Sequence, residues 1–184
     1  MSTQTIQKQS VPAGTWTIDP VHSSARFEVR HSGISTFRGG FGAIDARLSG
    51  GDEPRLEGSV EVASIDIDEE QLKGHLLSPE FFDAERAPAV RFDSREIQVG
   101  DDGELEVRGE LEIAATSREV EARGRLTHIP AGLSGKEAIG LSLEAAIDRS
   151  DFGLNWQAEL PGGGNALDYE VKLAVELEFG REEV

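Results

Sequence analysis

Apolar and polar residues alternate with a period of two along most of this chain. The longest stretch is also the last, and its apolar positions are Leu167, Tyr169, Val171, Leu173, Val175, Leu177 and Phe179. The residues between them are mostly charged. Because successive side chains of a β-strand point to opposite faces, the pattern predicts half-buried antiparallel strands with one wet and one dry face.

Shorter stretches of the same kind predict further strands at residues 25–29, 105–113, 120–126 and 139–147. The alternation slips by one position between Val62 and Ile65 and again between Phe92 and Ile97, and each slip predicts a β-bulge. Asp-Asp-Gly at 101–103 and Gly-Gly-Asp at 50–52 predict tight turns. About eight strands joined in this way predict an all-β fold, a closed antiparallel up-and-down barrel.

One insertion, at about 69–87, interrupts the strands with helical signals. Ser78, Pro79 and Glu80 have the character of a helix start, with a hydroxyl cap, a proline in the first turn and an acid at the positive end of the dipole. The helix is expected to end at Ala87, because the residue that follows is a proline.

Two adjacent phenylalanines, Phe81 and Phe82, lie inside this insertion. Two large apolar rings on a short surface helix are expected only where they cover an apolar surface. The insertion is therefore predicted to be a lid over the open end of the barrel.

Small residues recur on the predicted dry face, at Gly109, Ala122, Gly124 and Ala145. An eight-stranded barrel is just wide enough to be filled by side chains or to hold one slender ligand. The small residues indicate either an internal cavity suited to a long chain or sharp curvature of the strands, since glycine serves both purposes.

The chain has 184 residues, which suits one domain. Residues 1–13 are predicted to be a disordered arm and residues 14–181 a single barrel domain. The formal charge of −17 argues against a nucleic-acid partner and against an anionic membrane face. No apolar run is long enough for a membrane span, so no stable membrane insertion is expected.

The sequence contains no cysteine, which excludes disulfides, thiol nucleophiles and thiolate metal sites. The polar start has no hydrophobic signal region, so a cytoplasmic location is expected.

Few residues have the character of catalytic or metal-binding groups. His22 and His31 are nine positions apart and should point to opposite faces, so no metal site is predicted. Asp19, His22 and Ser23 are too close along one extended segment to form a catalytic triad.

The dry faces carry almost no ionisable residues, which argues against an enzyme. Arg149 and Asp151 could form an ion pair or a polar clamp on a ligand head group.

Four segments resemble the YceI-like family of lipocalin-like, polyisoprenoid-binding proteins. They are WTIDPVHSSARFEVRH at 16–31, FRGGF at 37–41, HLLSPEFFDAERAPAVRFDS at 75–94 and IDRSDFGL at 147–154. The resemblance implies an eight-stranded lipocalin-like barrel around a hydrophobic channel. Many members of the family are exported, whereas this sequence carries no recognisable signal.

The resemblance and the dry-face pattern together imply a binding protein, without a cofactor, for an isoprenoid or other long-chain lipid of the quinone or polyprenyl phosphate type. Storage, sequestration or transport would be its role, and a homodimer is compatible with the family. The alternatives are an enzyme acting on a small hydrophobic substrate and a ligand-free, stress-related structural protein. The expected ligand-binding residues are Phe27, Val29, Phe41, Phe81, Phe82, Phe92, Leu111, Ile113, Ile147, Phe152, Trp156, Tyr169 and Val171, with His22, Arg149 and Asp151 at the rim.

Overall fold

A computed structural model describes residues 10–183. This part of the chain contains ten β-strands and one α-helix. They are β1 Gly14–Ile18, β2 Ser24–His31, β3 Ser35–Phe41, β4 Ile44–Gly50, β5 Arg55–Glu61, α1 Glu70–Leu77, β6 Ala89–Val99, β7 Glu104–Ile113, β8 Thr116–Ile129, β9 Ala138–Asp148 and β10 Leu167–Arg181. No helix within the described range is long and apolar enough to cross a membrane.

Eight of the strands close into an antiparallel barrel in the order β1-β4-β5-β6-β7-β8-β9-β10, with β10 pairing back to β1. The predicted all-β barrel is therefore confirmed. The β2–β3 hairpin extends the wall beyond β1 and β4, because β2 pairs with the first part of β10 and β1 with its last residues. The turns predicted at 50–52 and 101–103 connect β4 to β5 and β6 to β7.

The insertion extends over 62–88, beyond the bounds of about 69–87 that the sequence predicted. It connects β5 to β6 and lies against the free edge of β3. Ile65 forms an isolated antiparallel bridge with Phe41, and the Asp66 N–H donates to the Gly40 carbonyl at 2.8 Å. The insertion thus completes the wall at the end of the barrel where β3 has no neighbouring strand.

The predicted helix start at Ser78 is wrong, because α1 ends there. Glu69 is the N-cap, and its carboxylate accepts two backbone N–H bonds from the first turn. The Ser78 hydroxyl instead donates to the His75 carbonyl at 2.6 Å. A serine hydroxyl can satisfy either helix end, and Pro79 cannot continue the helix because it lacks an N–H. Phe81 and Phe82 consequently lie in the turns after the helix.

One predicted bulge is confirmed and the other is wrong. The register of β6 against β7 shifts between Ser94 and Glu96, as the sequence predicted. The slip after Val62 is instead a 3₁₀ turn over Val62–Ser64 that ends β5. A further shift, in β10 between Leu167 and Val171, was not predicted.

The end of the barrel that β1 closes is solidly packed around Trp16, which is fully buried. Its indole N–H donates to the Pro12 carbonyl at 3.0 Å, and Leu48, Ile139 and Phe179 surround it in the same core. Val11 is also buried there, so the packed domain begins before the predicted boundary at residue 14. The remainder of the predicted arm, residues 1–9, lies outside the described part of the chain.

Arg149 ties the segment after β9 to β10. The side chain is 4% exposed. Its guanidinium donates to the carbonyl oxygens of Leu154, Trp156, Leu167 and Asp168 at 2.6, 2.8, 3.1 and 2.9 Å. Burial lowers the pKa of Arg149 from its ordinary value, because desolvation disfavours the charged form. The predicted ion pair with Asp151 is not among the ion pairs of the described residues, and Asp151 is exposed.

The substitution Trp16→Ala tests the packed end. We expect it to lower the free energy of unfolding by about 3–5 kcal/mol, because the surrounding side chains cannot fill the space that the indole leaves. Chemical denaturation followed by circular dichroism measures the change. Val21→Ala, at an exposed position, is the control and should change stability by no more than about 0.5 kcal/mol. Equal stability of the two variants would contradict this account of the core.

The substitution Arg149→Met tests the tie between β9 and β10. Four carbonyl oxygens would lose a charged donor, so we expect a loss of about 3 kcal/mol or more in unfolding free energy. Arg95→Met is the matched control, since Arg95 is exposed and contacts only Glu110 among its acidic neighbours, at 3.3 Å. A cost for Arg149→Met no larger than the control would show that the carbonyl contacts contribute little.

Candidate functional site

The half of the barrel away from Trp16 is hollow. It encloses a cavity of about 610 Å³. This volume lies within the range of roughly 300–1,000 Å³ that small-molecule sites occupy. The strands of the barrel wall, the β2–β3 hairpin, the insertion and the segment from Arg149 to Trp156 all contribute to the lining.

The side chains around this cavity are apolar and only partly covered by protein. Phe41, Phe92, Ile147, Val171 and Leu173 lie on inward-facing positions, yet each is half-buried. At the packed end, equivalent inward residues are fully buried. The difference arises because the residues of the hollow half face the cavity instead of one another.

Aromatic contacts hold the insertion over the cavity. The ring of Phe82 meets Phe27 and Phe41 edge-on, with centroid distances of 6.2 and 5.7 Å. Phe81 lies 5.6 Å from Trp156, on the segment after β9. Both phenylalanines line the cavity. The predicted lid is therefore formed by turns that follow the helix, and its two adjacent rings contact two different walls.

The small residues of the predicted dry face have two different roles. Ala122 and Ala145 line the cavity, so they leave space. A Cβ on Gly109 would lie 2.6 Å from the ring of Phe92, which covers that glycine. A Cβ on Gly124 would lie 1.7 Å from the Ser142 carbonyl oxygen, so this glycine permits close approach of neighbouring strands. The two alanines thus leave cavity space, whereas the two glycines accommodate close contacts.

Most of the residues expected to contact a ligand do line the cavity. They are Phe27, Val29, Phe41, Phe81, Phe82, Phe92, Leu111, Ile113, Ile147, Phe152, Trp156 and Val171, together with Arg149. Tyr169, His22 and Asp151 lie outside its lining.

Tyr169 is displaced from the cavity by the register shift in β10. Simple alternation would align it with Val171 and Leu173, but the shift occurs between Leu167 and Val171. The guanidinium of Arg149 lies over its ring, 4.5 Å from the centroid. Tyr169 therefore packs on the residue that ties the loop, and sequence alternation could not reveal the irregularity.

Several lining residues were missed. Phe37 lies two positions before Gly39 in β3, on the same face, and belongs to the quoted FRGGF segment. Leu72, His75 and Leu76 have the i, i+3, i+4 spacing of one helix face, a signal present in the sequence. The sequence analysis did not use this spacing, because it predicted that the helix begins at Ser78.

His22 lies on the turn between β1 and β2, outside the cavity. Its Nδ1 is 2.8 Å from Asp19 Oδ2. This hydrogen bond is the main cause that raises the pKa of His22 and lowers that of Asp19. The ligand atoms of Asp19, His22 and Glu178 lie within 4.8 Å of one another, on the outer surface. Solvent-exposed groups of this kind commonly pair without an ion.

The described residues offer no nucleophile activated by a base at these positions. The hydroxyl of Ser23 donates to the backbone carbonyl of Asp19 at 2.7 Å rather than to His22. Buried Ser94 accepts a hydrogen bond from the Leu56 N–H at 2.8 Å and serves the barrel wall. The cavity itself is suited to hold an apolar molecule.

Residues 16–179 match the YceI-like domain family. A UPF0312 protein of Staphylococcus epidermidis is 30% identical over 169 residues, which are 88% of this chain and 94% of that protein. A UPF0312 protein of Staphylococcus aureus is 27% identical over 172 residues, covering 89% of this chain and 96% of that protein.

Solved structures share the fold at low sequence identity. BcnA of Burkholderia cenocepacia superposes with a TM-score of 0.71 at 18% identity and covers 88% of this chain and 98% of its own. A polyisoprenoid binding domain from Saccharophagus degradans, implicated in plant cell wall breakdown, has a TM-score of 0.70 at 13% identity and covers 91% and 98%. The family match over nearly the whole barrel establishes that this chain belongs to the YceI-like domain family.

Proposed function

We propose that this protein binds a long-chain isoprenoid or similar amphiphilic lipid inside the barrel, for storage, sequestration or transport. The single observation that carries the proposal is the apolar cavity of about 610 Å³, lined by inward aromatic and aliphatic side chains. Membership of the YceI-like family supports it, as does the likeness to the polyisoprenoid binding domain of Saccharophagus degradans.

The driving force would be transfer of the chain from water to the cavity. Each buried methylene contributes roughly 0.8 kcal/mol before the entropy costs of association. A few isoprene units would therefore bind without a dedicated polar contact. Half-buried residues such as Leu173 and Val175 would gain van der Waals contacts with the bound chain.

The insertion is the proposed gate. Phe82 contacts β2 and β3, and Phe81 contacts Trp156, so aromatic packing, aliphatic contacts and a few backbone bonds hold the insertion against the wall. Separation of these contacts would open the free edge of β3 without breaking the strand pairs that close the barrel.

An enzyme acting on a small hydrophobic substrate is the alternative. It requires a pair of titratable side chains facing the substrate. The inward positions of the described strands are aliphatic, aromatic or glycine, apart from short polar residues and His31 at the end of β2. This composition favours binding over catalysis, and it also disfavours a ligand-free structural role, which a fully packed barrel would serve better.

Extraction of the purified protein with organic solvent tests the proposal directly. We expect mass spectrometry of the extract to show a long-chain isoprenoid or lipid in a fixed ratio to protein. The unfolded and washed protein is the control for adventitious lipid. Absence of extractable lipid, together with failure of the washed and refolded protein to bind the apolar dye Nile red, would refute a lipid-binding role.

Two neighbouring alanines of β9 allow a matched test of where the ligand lies. Ala145 lines the cavity, whereas Ala146 is exposed on the outer face. Ala145→Phe should weaken Nile red binding about tenfold, since displacing roughly two methylenes' worth of ligand contact has that effect. Ala146→Phe should bind as the natural protein does. Fluorescence titration measures both, and equal affinities would place the dye outside the barrel.

A further inference from the structure

The β2–β3 hairpin and the adjoining part of β10 carry a basic surface on an acidic protein. The chain has 18 basic and 35 acidic residues, and its formal charge is −17. Four exposed basic side chains nevertheless share the outer face of the sheet where β10, β2 and β3 are neighbours, each placed between inward residues of its strand. These four residues, which we call the basic patch, are Arg26, Arg30, Arg38 and Lys172.

The strand register brings the basic patch together around a single acid. Glu28 of β2 is the direct partner of Lys172 on β10 and of Arg38 on β3. Arg26 and Arg30 are two positions away from Glu28, one on each side, along the same face of β2. Neighbours of these kinds on one face of a sheet are about 5–7 Å apart. One carboxylate therefore lies among four cations.

The protein neutralises little of the charge of the basic patch. Arg38 Nε lies 2.8 Å from Glu28 Oε1, and the Arg38 side chain is still 68% exposed. The other three members form no ion pair with a described residue. Arg30 instead donates to the Gly33 carbonyl at 2.7 Å, which holds its guanidinium over the hairpin turn. The basic patch is therefore accessible to an anionic partner.

An exposed apolar side chain lies at the tip of the same hairpin. Ile34 is in the turn between β2 and β3 and is 83% exposed. Its N–H donates to the His31 carbonyl at 3.1 Å, so the turn has a fixed shape, and Arg30 crosses the same turn. Peripheral proteins bind membranes by burying apolar side chains at the head-group boundary while basic side chains contact anionic lipids. The hairpin presents both kinds of group.

The hairpin also borders the cavity and the insertion. Ser35 and Phe37 of β3 line the cavity, and Phe82 of the insertion packs on β2 and β3. Residues 35–39 of β3 pair with β2 and with no other described strand. A surface that held the hairpin would therefore adjoin the wall that we propose as the gate.

We propose that the β2–β3 hairpin is a docking surface for a lipid bilayer that contains anionic lipids. Ile34 enters the head-group region, and the basic patch contacts lipid phosphates. The docking is reversible, because one apolar side chain and a few cations bind far more weakly than a membrane span. This inference goes beyond the proposed function, since it concerns a partner of the outer surface and not the content of the cavity.

The net charge of the protein opposes this docking, and ionic strength decides which effect dominates. At about 0.15 M salt the Debye length is about 8 Å, so the acids on the far wall of the barrel are screened while the basic patch acts at short range. At about 0.01 M the Debye length is about 30 Å, and the whole molecule repels an anionic surface. At about 1 M salt the basic patch itself is screened. Binding should therefore be strongest at intermediate salt.

Co-sedimentation of the full chain with vesicles tests the proposal. The vesicles contain phosphatidylcholine alone or phosphatidylcholine and phosphatidylglycerol in equal parts. We expect the mixed vesicles to bind the protein about tenfold or more tightly at about 0.15 M salt, because several cations face the anionic lipids. Binding to the mixed vesicles should weaken at both lower and higher salt.

Two double variants separate the basic patch from net charge. Arg30→Gln, Lys172→Gln removes two charges of the basic patch and should weaken binding to the mixed vesicles about tenfold or more. Arg95→Gln, Arg125→Gln removes the same charge from exposed positions on β6 and β8. This control should bind the mixed vesicles as the natural protein does.

A second matched pair tests the apolar tip. Ile34→Ser should weaken vesicle binding about tenfold, the effect of losing one aliphatic side chain from the head-group region. Leu133→Ser changes an equally exposed aliphatic residue in the turn between β8 and β9 and should have no effect.

Three outcomes would overturn the docking proposal. They are equal binding of the natural protein to both kinds of vesicle, equal effects of the two double variants, and equal effects of the two serine variants. Binding to polyglutamate as tight as to the mixed vesicles, and unchanged by Ile34→Ser, would identify an acidic protein as the partner instead. Nile red binding without vesicles reports on the cavity separately, so failure of this proposal is distinguishable from failure of the proposed function.

Discussion

Strand β10 holds the whole barrel together. It pairs with β9 along eleven positions on one edge, and on the other edge it pairs first with β2 and then with β1. Closure of the sheet leaves its main strands without free edges, so backbone hydrogen bonds are satisfied around the ring. The exception is β3, which ends the hairpin extension, and the insertion lies against that edge. The position of the lid therefore follows from how β10 divides its partners.

Because β10 pairs with β2 along its first part and with β1 at its end, the barrel has a hollow half and a filled half. Where β1 and β4 complete the ring, Trp16 and the residues around it occupy the interior. Where β2 and β3 extend the wall, the ring is completed by the insertion rather than by a strand. Aromatic side chains there span the gap without filling the centre. The same contacts that seal the cavity are weaker than strand pairing, which makes this wall the natural place for entry.

Arg149 has two effects on the hollow half of the barrel. Arg149 binds carbonyl oxygens of the segment after β9 and so fixes the end wall, and its charge remains inside a barrel whose outer face is acidic. A single residue thus shapes the cavity and gives one end of it a basic character.

Much of the strand pattern was predictable because alternation reports which face of a strand is dry. The stretch before Phe179 and the bulge near Ser94 follow directly from that rule. The helix signals failed at Ser78, because a hydroxyl can cap either end of a helix and only the surrounding chain selects which. The register shift in β10, which places Tyr169 outside the cavity, was also not predictable. Pairing with neighbouring strands decides where such an irregularity falls.

The sequence alone predicted the barrel, the acidic exterior and most of the cavity wall, because two-residue periodicity and composition are local properties. Only the tertiary structure decided which end is filled, since packing around Trp16 joins residues far apart in the chain. It also decided that the insertion completes the wall beside β3. Those arrangements depend on distances between separate elements, and no pattern along one strand encodes them.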